Sequence, residues 1–359
     1  MTVDPATKAV YDANAAEWAA SRATGRRGAV VDRLFARASE PGGRFLDVGC
    51  GPGLHLVDLP AGAVGLDASI EMLRVAGTSV EAPLVVGDAA ALPFAPGSFD
   101  GALASRVHIH LPRHAAPVAF ADLHRVLRVD AAVELTMYEG DQELTASSDT
   151  DFPGRRYALW RRELLVDVVE GAGFGIEGFT TLPSEPWPRH ELGLRRLLTL
   201  PDTVGPDMRV LVCGLNPSMS AATMGVGFAT GGNRFWPAAL ASGLVSVDRD
   251  PRYALHRHGI GMTDLVKRAT PRAAALSREE YETGVARLER LCRWLRPKVV
   301  CMVGLAGWRA AVDRRATAGL QPHTLGDTAV YVMPSTSGLN AHSRLEDLSN
   351  HLRAVQQIG

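Results

Sequence analysis

The side chains best suited to chemistry follow an apolar run at residues 210–213, where the chain continues as Gly-Leu-Asn-Pro-Ser at 214–218. A short β-branched run that stops at glycine and proline is typical of a buried strand followed by a loop. In open α/β sheets, ligands bind at such carboxyl ends of strands. Asn216 would place a neutral amide there, which both donates and accepts hydrogen bonds. Such an amide can hold a water molecule or a carbonyl group in place without adding charge.

Three later segments could complete a site around Asn216. Phe228 follows a glycine-rich stretch at 225–227 and offers an aromatic face. Asn233 lies in Gly-Gly-Asn-Arg-Phe-Trp, which predicts the start of a helix. Residues 330–340 repeat the pattern of an apolar run that ends in proline, serine and glycine.

Taken in order, these segments resemble the mismatch-specific uracil-DNA glycosylase and thymine-DNA glycosylase family over roughly residues 208–353. The resemblance implies that Asn216 positions the attacking water and that Phe228 stacks on a base flipped out of duplex DNA. It also implies that backbone groups near Leu215 and Phe228 read the pyrimidine edge, and that Asn233 and Ser337 belong to the base-binding site. Flipping a nucleotide costs a few kcal/mol, and one aromatic stack contributes roughly 1–3 kcal/mol, so the two about balance. Further contacts must therefore distinguish a mismatched base from a paired one.

The second loop of the resemblance implies those contacts. Leu339 would be the apolar plug that enters the gap in the duplex, flanked by Gly338 and Asn340. The sequence Ser-Thr-Ser at 335–337 replaces the Asn-Pro-Ser of bacterial members and is closer to the thymine-glycosylase version. The base range, uracil against thymine or a damaged pyrimidine, therefore stays open. We find no lysine near either loop that could form a Schiff base, which predicts a monofunctional hydrolase.

A second set of candidate residues lies near the start of the chain. Asp47 begins the pattern Asp-x-Gly-x-Gly-x-Gly, and its glycines let the backbone close on a ligand at a helix N-terminus. Asp67 ends the next apolar run at a distance typical of an acid that accepts ribose hydroxyls. Asp88 ends the third run, beside Ala89, where a carboxylate can accept from an adenine amino group. The three glycines of the pattern are Gly49, Gly51 and Gly53.

This ordered set resembles the class I S-adenosylmethionine-dependent methyltransferases over roughly residues 11–181. The resemblance implies S-adenosylmethionine as the cofactor; another nucleotide-binding Rossmann unit is the alternative. The methyl acceptor stays unknown, because the motifs of base-amino and cytosine-C5 methylation are absent from the sequence. A small molecule or an RNA remains as the acceptor. His108 and His110 could be general bases there or could simply pack and face solvent.

Strands that alternate with helices predict two doubly wound α/β domains. By resemblance these are a Rossmann-like seven-stranded methyltransferase sheet and a uracil-DNA-glycosylase-like α/β/α domain. We expect the first domain at 1–182, a proline-containing linker with a short leading helix at 183–207, and the second domain at 208–359. Asp264, at the end of an apolar run, is interpreted as a helix cap.

Composition limits the classes of function. No apolar run approaches the ~20 residues of a membrane span, which predicts a cytoplasmic protein without a membrane partner. The four cysteines show no zinc-binding spacing. The net charge of −1 hides an acidic first half and an arginine-rich second half. Guanidinium groups suit phosphate contacts, so we expect the second half to bind double-stranded DNA.

The sequence therefore predicts a bifunctional enzyme that excises a mismatched base and transfers a methyl group. Three alternatives remain. Both halves could act in nucleoside or natural-product metabolism on a non-DNA substrate. The second half could read a modified base without cleaving it. The first half could serve only to stabilise or dimerise the protein.

Overall fold

The computed structural model describes residues 3–22, 28–148 and 150–359. These residues form two compact units. The first unit comprises residues 1–170 and 174–197, and the second comprises 171–173 and 198–359. Within the described ranges, no helix is both long and apolar enough to cross a membrane.

The first unit contains five α-helices and nine strands among the residues described. Its helices are α1 (Pro5–Ser21), α2 (Gly28–Arg37), α3 (Ile70–Ala76), α4 (Ala116–Val126) and α5 (Arg162–Gly171). Its strands are β1 (Phe45–Val48), β2 (Val64–Asp67), β3 (Leu84–Val86), β4 (Phe99–Ser105), β5 (Leu127–Tyr138), β6 (Glu143–Ser147), β7 (Arg155–Ala158), β8 (Phe174–Leu182) and β9 (Arg189–Arg196).

Seven of these strands form one sheet in the order β3-β2-β1-β4-β5-β9-β8. Strands β1 to β5 are parallel, and β9 runs antiparallel to both of its neighbours. The chain order reverses between β1 and β4, which is where open α/β sheets bind ligands. Strands β6 and β7 form a separate antiparallel pair. The predicted seven-stranded α/β architecture is thus confirmed.

The prediction of a linker and leading helix at 183–207 is wrong, because residues 189–196 of this segment form strand β9 of the first unit. Its buried residues alternate, with His190, Leu192 and Leu194 inside. That is the period of a strand rather than of a helix. The prolines of the supposed linker lie in the connection between β8 and β9, which pair antiparallel.

The second unit contains six α-helices and five strands among its described residues. The helices are α6 (Met219–Met224), α7 (Phe235–Ser242), α8 (Pro251–His258), α9 (Arg278–Leu295), α10 (Leu305–Ala311) and α11 (Leu345–Ile358). The strands are β10 (Val210–Gly214), β11 (Ile260–Asp264), β12 (Val299–Val303), β13 (Gly319–Leu320) and β14 (Ala329–Met333).

These five strands form a sheet in the order β11-β10-β12-β14-β13, parallel except for β13. Strands β10 and β12 are buried at every residue, as expected of parallel strands covered on both faces. Helix α9 begins with a capping box between Ser277 and Glu280. The sheet directs the carboxyl ends of β10, β11, β12 and β14 to one edge, where both expected loops begin.

Candidate active sites

The loop after β10 continues alongside the loop after β11. Leu265 donates its backbone N–H to Gly214 O at 2.9 Å, and Val266 donates to Leu215 O at 3.0 Å. Further on, Thr270 N donates to Pro217 O at 3.1 Å. The Asn216 loop is therefore held along its whole length by a segment about fifty residues later.

The Asn216 side chain is half-buried and is fixed at its nitrogen. Nδ2 donates to Thr270 Oγ1 at 2.8 Å, to Arg268 O at 3.0 Å and to Pro217 O at 3.1 Å. Among the described residues, no donor bonds Asn216 Oδ1. Because the amide nitrogen is committed to the protein, the oxygen is the end that can accept a hydrogen bond from water.

Phe228 lies close to the end of β10. Its ring stacks on that of Phe235, with centroids 4.4 Å apart and planes at 27°. A Cβ on Gly214 would lie 3.2 Å from Phe228 Cζ and 2.4 Å from Asp264 Oδ1. Glycine at 214 therefore allows the aromatic ring and the carboxyl group to converge at this strand end. Phe228 itself has a φ of 58°, which few non-glycine residues adopt.

Asp264 is the last residue of β11 and not the helix cap expected from sequence. It pairs in register with Gly214, and 9% of its surface is exposed. Burial raises the pKa of its carboxyl group to about 6. A titratable group therefore lies beside Phe228 at the edge of the sheet.

A buried ionic cluster supports the loop after β11. Asp202 accepts hydrogen bonds from Arg287 Nη1 at 2.8 Å, Lys267 Nζ at 2.8 Å and Thr263 Oγ1 at 2.6 Å. Arg287 Nη2 also donates to the carbonyl oxygen of Asp264 at 3.0 Å. The loop that anchors Asn216 is thus fixed from inside the unit.

The second loop exposes an apolar side chain. Leu339 is 95% exposed, although a leucine usually avoids water. Gly338 packs on the backbone of Gly232 so closely that a Cβ would lie 2.8 Å from Gly232 O. Asn340 Nδ2 donates to Ser335 O at 2.7 Å and to Ser343 Oγ at 3.1 Å. The amide of Asn340 therefore closes the loop on itself and leaves Leu339 at its tip.

Arg234 joins the segment before α7 to the second loop, a role that the sequence did not suggest although the residue lies in the recognised helix start. Its Nη2 donates to Asn340 O at 2.6 Å and to Ser337 O at 3.2 Å. Its backbone N–H donates to Thr336 O at 2.9 Å. Beside it, Asn233 Oδ1 accepts from Phe235 N at 2.9 Å. The Asn233 side-chain oxygen thus binds the backbone N–H of the first residue of α7. In the second loop, Ser337 Oγ accepts a hydrogen bond from Leu339 N at 3.3 Å.

The first unit holds a cavity of about 1000 Å³. It lies at the carboxyl ends of the strands around the reversal of chain order. Six of the expected residues line it, namely Gly49, Gly51, Asp67, Asp88, Ala89 and His110. The expected residues Asp47, Gly53 and His108 do not belong to the lining. The volume lies at the upper end of the ~300–1,000 Å³ range of ligand pockets.

The glycines of the first loop have the left-handed backbone that favours glycine. Gly49, Gly51 and Gly53 have φ values of 70°, 53° and 81°. A Cβ on Gly49 would lie 2.5 Å from Val107. The loop can therefore adopt this backbone and pack against Val107 only because these positions carry no side chains.

Two strand-end carboxylates hold the backbone around the cavity. Asp67 accepts from Gly51 N and Ser69 N, both at 2.8 Å. Asp88 accepts from Ala90 N at 2.8 Å and from Val3 N at 2.7 Å. Each carboxylate oxygen can accept more than one bond, so ribose hydroxyls or an amino group can still be bound there.

Asp47 is buried behind this loop. Its Oδ2 has no hydrogen-bond partner among the described residues. Burial, with a smaller contribution from the nearby Asp67, raises the pKa of Asp47 to about 8. Asp47 therefore does not face the cavity, whereas Asp67 and Asp88 do, and their carboxylate oxygens fit a ligand rich in hydrogen-bond donors, as S-adenosylmethionine is.

The two histidines differ in position. His108 is fully buried, packs edge-on against Phe120, and leaves both ring nitrogens without a hydrogen bond among the described residues. It is therefore wrong as a candidate general base, because no acceptor in the cavity can reach it. His110 lines the cavity and forms hydrogen bonds through both nitrogens. Burial lowers the pKa of each imidazole to about 4, so both rings are neutral.

Comparisons with known proteins agree with this division. Residues 201–358 match the model of the uracil DNA glycosylase superfamily, and residues 46–133 match that of a methyltransferase domain. The methyltransferase match also supports the expected cofactor, S-adenosylmethionine.

Several solved structures are similar to part of the chain. One is a SAM-dependent methyltransferase from Methanosarcina mazei, at 18% identity and a TM-score of 0.42, covering 46% of this chain and 97% of that one. Another is a 1,6-didemethyltoxoflavin-N1-methyltransferase from Burkholderia thailandensis, at 18% identity and a TM-score of 0.43, covering 53% of this chain and 87% of that one. A third is magnesium protoporphyrin IX methyltransferase from Synechocystis PCC 6803, at 19% identity and a TM-score of 0.43, covering 53% of this chain and 97% of that one.

The two family matches lie in different units and do not overlap in sequence. They confirm the expected pairing of families. The chain is a fusion of a methyltransferase domain with a domain of the uracil DNA glycosylase superfamily.

Proposed function

We propose that the second unit hydrolyses the N-glycosidic bond of uracil in mismatched duplex DNA, with thymine or a damaged pyrimidine as further substrates. The base is flipped out of the helix, and a water molecule attacks the sugar carbon. We also propose that the first unit transfers a methyl group from S-adenosylmethionine to an acceptor.

The single observation that carries the glycosylase proposal is the fixed amide of Asn216. Cleavage of the bond builds positive charge on the sugar and negative charge on the departing base, so a weak nucleophile in the right place suffices. Three hydrogen bonds fix the Asn216 nitrogen, which leaves Oδ1 to orient a water. Placing that water in advance lowers the entropic cost of its attack.

The exposed Leu339 favours duplex DNA over a free nucleoside. A side chain that is 95% exposed gains from leaving water, and the gap left by a flipped nucleotide offers it an apolar environment between base pairs. A free nucleoside has no such gap. The fixed amide of Asn216 in the first loop argues against a reader of modified bases, because a reader needs no amide that positions water.

A monofunctional reaction remains part of the proposal, for a reason that differs from the one drawn from sequence. Lys267 is adjacent to Arg268, whose carbonyl accepts a bond from Asn216, so a lysine does lie close to the first loop. Its ammonium group is bound to Asp202 and to the carbonyl oxygen of Leu200. A protonated amine held in an ion pair is a poor nucleophile for a Schiff base.

For the first unit, we propose that Asp67 binds ribose hydroxyls and that Asp88, with Ala89 beside it, binds the adenine of the methyl donor. The glycine loop at 49–53 would contact the remainder of the donor. When bound, S-adenosylmethionine supplies a methyl group whose leaving sulfur already carries positive charge, so no metal ion is required for that step. His110 is the one of the two expected histidines that lines the cavity.

One experiment tests both activities. The full chain is incubated with a duplex that contains a uracil mismatch and with methyl-labelled S-adenosylmethionine, and free base and bound label are measured together. We expect free uracil from the wild type, and no free base but retained duplex binding from Asn216→Ala. Cleavage that continues unchanged in Asn216→Ala removes this residue from the mechanism. Equal cleavage of free nucleoside and duplex would favour the non-DNA alternative.

A further inference from the structure

An ordered chain of hydrogen bonds lines the cavity of the first unit. Tyr11, from α1, places its hydroxyl 2.8 Å from His110 Nε2 and 3.0 Å from Arg155 Nη1. His110 Nδ1 lies 2.7 Å from the carbonyl oxygen of Arg156. Tyr11, His110 and Arg155 all line the cavity.

The chemistry of the two ends fixes the direction of this chain. A carbonyl oxygen only accepts, so His110 Nδ1 carries the proton. The ring is neutral, and Nε2 therefore has a free lone pair and accepts from the Tyr11 hydroxyl. Arginine only donates, so Tyr11 oxygen accepts from Arg155. Desolvation raises the pKa of Tyr11, which keeps its own proton available.

The Arg155 guanidinium group holds Tyr11 in place. Arg155 is 3% exposed, and its other donors bind Asp151 Oδ1 at 2.8 Å and Phe152 O at 2.9 Å. Its Cζ lies 5.2 Å from the centre of the Tyr11 ring and 5.3 Å from that of Tyr157. Tyr11 oxygen thus has a fixed position and a remaining lone pair that can accept from a molecule in the cavity.

The wall around Tyr11 is aromatic. Four aromatic side chains line the cavity, namely Tyr11, Trp18, Tyr138 and Tyr157. Trp18 also reaches the glycine loop, because a Cβ on Gly51 would lie 3.8 Å from its ring. Aromatic rings of this kind pack well against a flat ring. The aromatic wall therefore lies next to the loop at which the methyl donor is expected.

We propose that this part of the cavity binds a planar aromatic methyl acceptor through a hydroxyl group, with Tyr11 oxygen accepting the hydroxyl proton. The inference rests on the proposed methyl transfer by the first unit. It adds the class of acceptor and a relay, in which Tyr11 contacts the acceptor and His110 acts through Tyr11.

The proton balance favours a hydroxyl over a ring N–H. In a ring N–H, the proton occupies the position that the methyl group must take, so a residue bound to that proton blocks the attack. A hydroxyl oxygen keeps lone pairs beside its O–H bond. As the acceptor oxygen takes the methyl group, the carbon–sulfur electron pair stays on sulfur. The acceptor proton passes to Tyr11, whose own proton passes to His110 Nε2.

The test measures binding of 4-nitrophenol to the full chain by equilibrium dialysis, with and without S-adenosylhomocysteine. The pH is varied across the ionisation of the phenol. We expect saturable binding at one site. Binding should be stronger for the neutral phenol than for the phenolate, because Tyr11 oxygen accepts a hydrogen bond from the phenol hydroxyl group. Tyr11→Phe should weaken the binding of the neutral phenol about 3- to 10-fold, the value of one hydrogen bond. It should also abolish the preference for the neutral form.

Tyr253→Phe is the matched control, since it removes the same atom from a residue of the second unit outside the cavity. Three results overturn the proposal: no saturable binding of 4-nitrophenol, equal affinity in Tyr11→Phe, or tighter binding of the phenolate. If Tyr11→Phe does not fold, the pH preference of the wild type still decides the question. Failure of the wild type to bind S-adenosylhomocysteine would instead contradict the proposed methyl transfer, whatever the phenol does.

Discussion

Asn216 donates from Nδ2 to Thr270 Oγ1 over 2.8 Å, although 54 residues separate the two in the sequence. Thr270 is buried, and its hydroxyl group donates a hydrogen bond to Arg272 O at 3.1 Å. The hydroxyl group thus connects the amide to the backbone of the loop after β11. The orientation of Asn216 is a property of two loops and not of the Gly-Leu-Asn-Pro-Ser sequence alone.

Removal of this hydroxyl should slow base release without abolishing it. In Thr270→Ala, Asn216 keeps two of its three acceptors, so the amide becomes less well oriented rather than free. The loss of one hydrogen bond corresponds to a rate roughly 2- to 10-fold lower. The rate is measured as single-turnover release of uracil from a mismatch duplex. Thr270→Ser retains the hydroxyl and should stay close to the wild type. An equal loss in both variants would mean that packing of the methyl group matters and not the hydrogen bond.

The exposed Leu339 permits a test of the wedge that leaves folding intact. Leu339→Ala removes a side chain that is 95% exposed, so the free energy of unfolding should not change. Inside a duplex the same side chain would be buried, and its loss should cost about 1.5–3 kcal/mol. We expect release of uracil from the duplex to fall about 10- to 100-fold, while release from single-stranded DNA stays nearly constant. Leu320→Ala, at a leucine that is 60% exposed in the same unit, is the control. A parallel loss on both substrates would contradict a wedge role.

Asp67 tests whether the two units act independently. Asp67→Ala removes the acceptor for Gly51 N and Ser69 N and the expected partner of the ribose hydroxyls. Calorimetry should find binding of S-adenosylmethionine weakened at least about 10-fold, since bonds to a charged group contribute roughly 1.5–3 kcal/mol. Uracil release should remain unchanged. Asp58→Ala, at an exposed acid of the same unit, should alter neither activity. Concerted loss of both activities in Asp67→Ala would show that the units are coupled.

The sequence predicted the features that depend on local order. The two family resemblances follow from short motifs, and they in turn imply the seven-stranded sheet and the apolar tip at Leu339. Strand β9 was missed because the prolines before it suggested a linker. The alternation of His190, Leu192 and Leu194 was the available signal for a strand.

The residues that the sequence did not assign to the site are held by contacts between distant segments. Arg234, just before α7, bonds a loop about a hundred residues later, and Thr270 reaches Asn216 from the loop after β11. His108 and His110 look alike in sequence, yet one packs against Phe120 and the other faces the cavity. Such differences depend on how the sheet orients each turn, which no local pattern specifies.

Asp264 is the residue whose environment most directly predicts a pH dependence. Burial raises the pKa of its carboxyl group from 3.8 to about 6. Unfolded, the group ionises at lower pH than in the folded protein. Its destabilising effect on the folded state is therefore absent below about pH 4 and grows as the pH rises. The effect is complete above about pH 6, where the folded state must keep a buried charge. Asp264→Asn should remove this penalty and raise the thermal midpoint of the second unit at pH 8, with little change at pH 4.

The same titration should appear in the rate of base release. Asp264 lies beside Phe228 at the strand end, where the departing base would carry negative charge. The protonated carboxyl group can donate to that charge, whereas the carboxylate repels it. We therefore expect wild-type release to decrease as the pH rises through about 6, and Asp264→Asn to flatten this profile and to exceed the wild type at pH 8. Asp327→Asn, at an exposed acid of the same unit, should retain the wild-type profile. A profile of Asp264→Asn that still changes near pH 6 would assign the titration to another group.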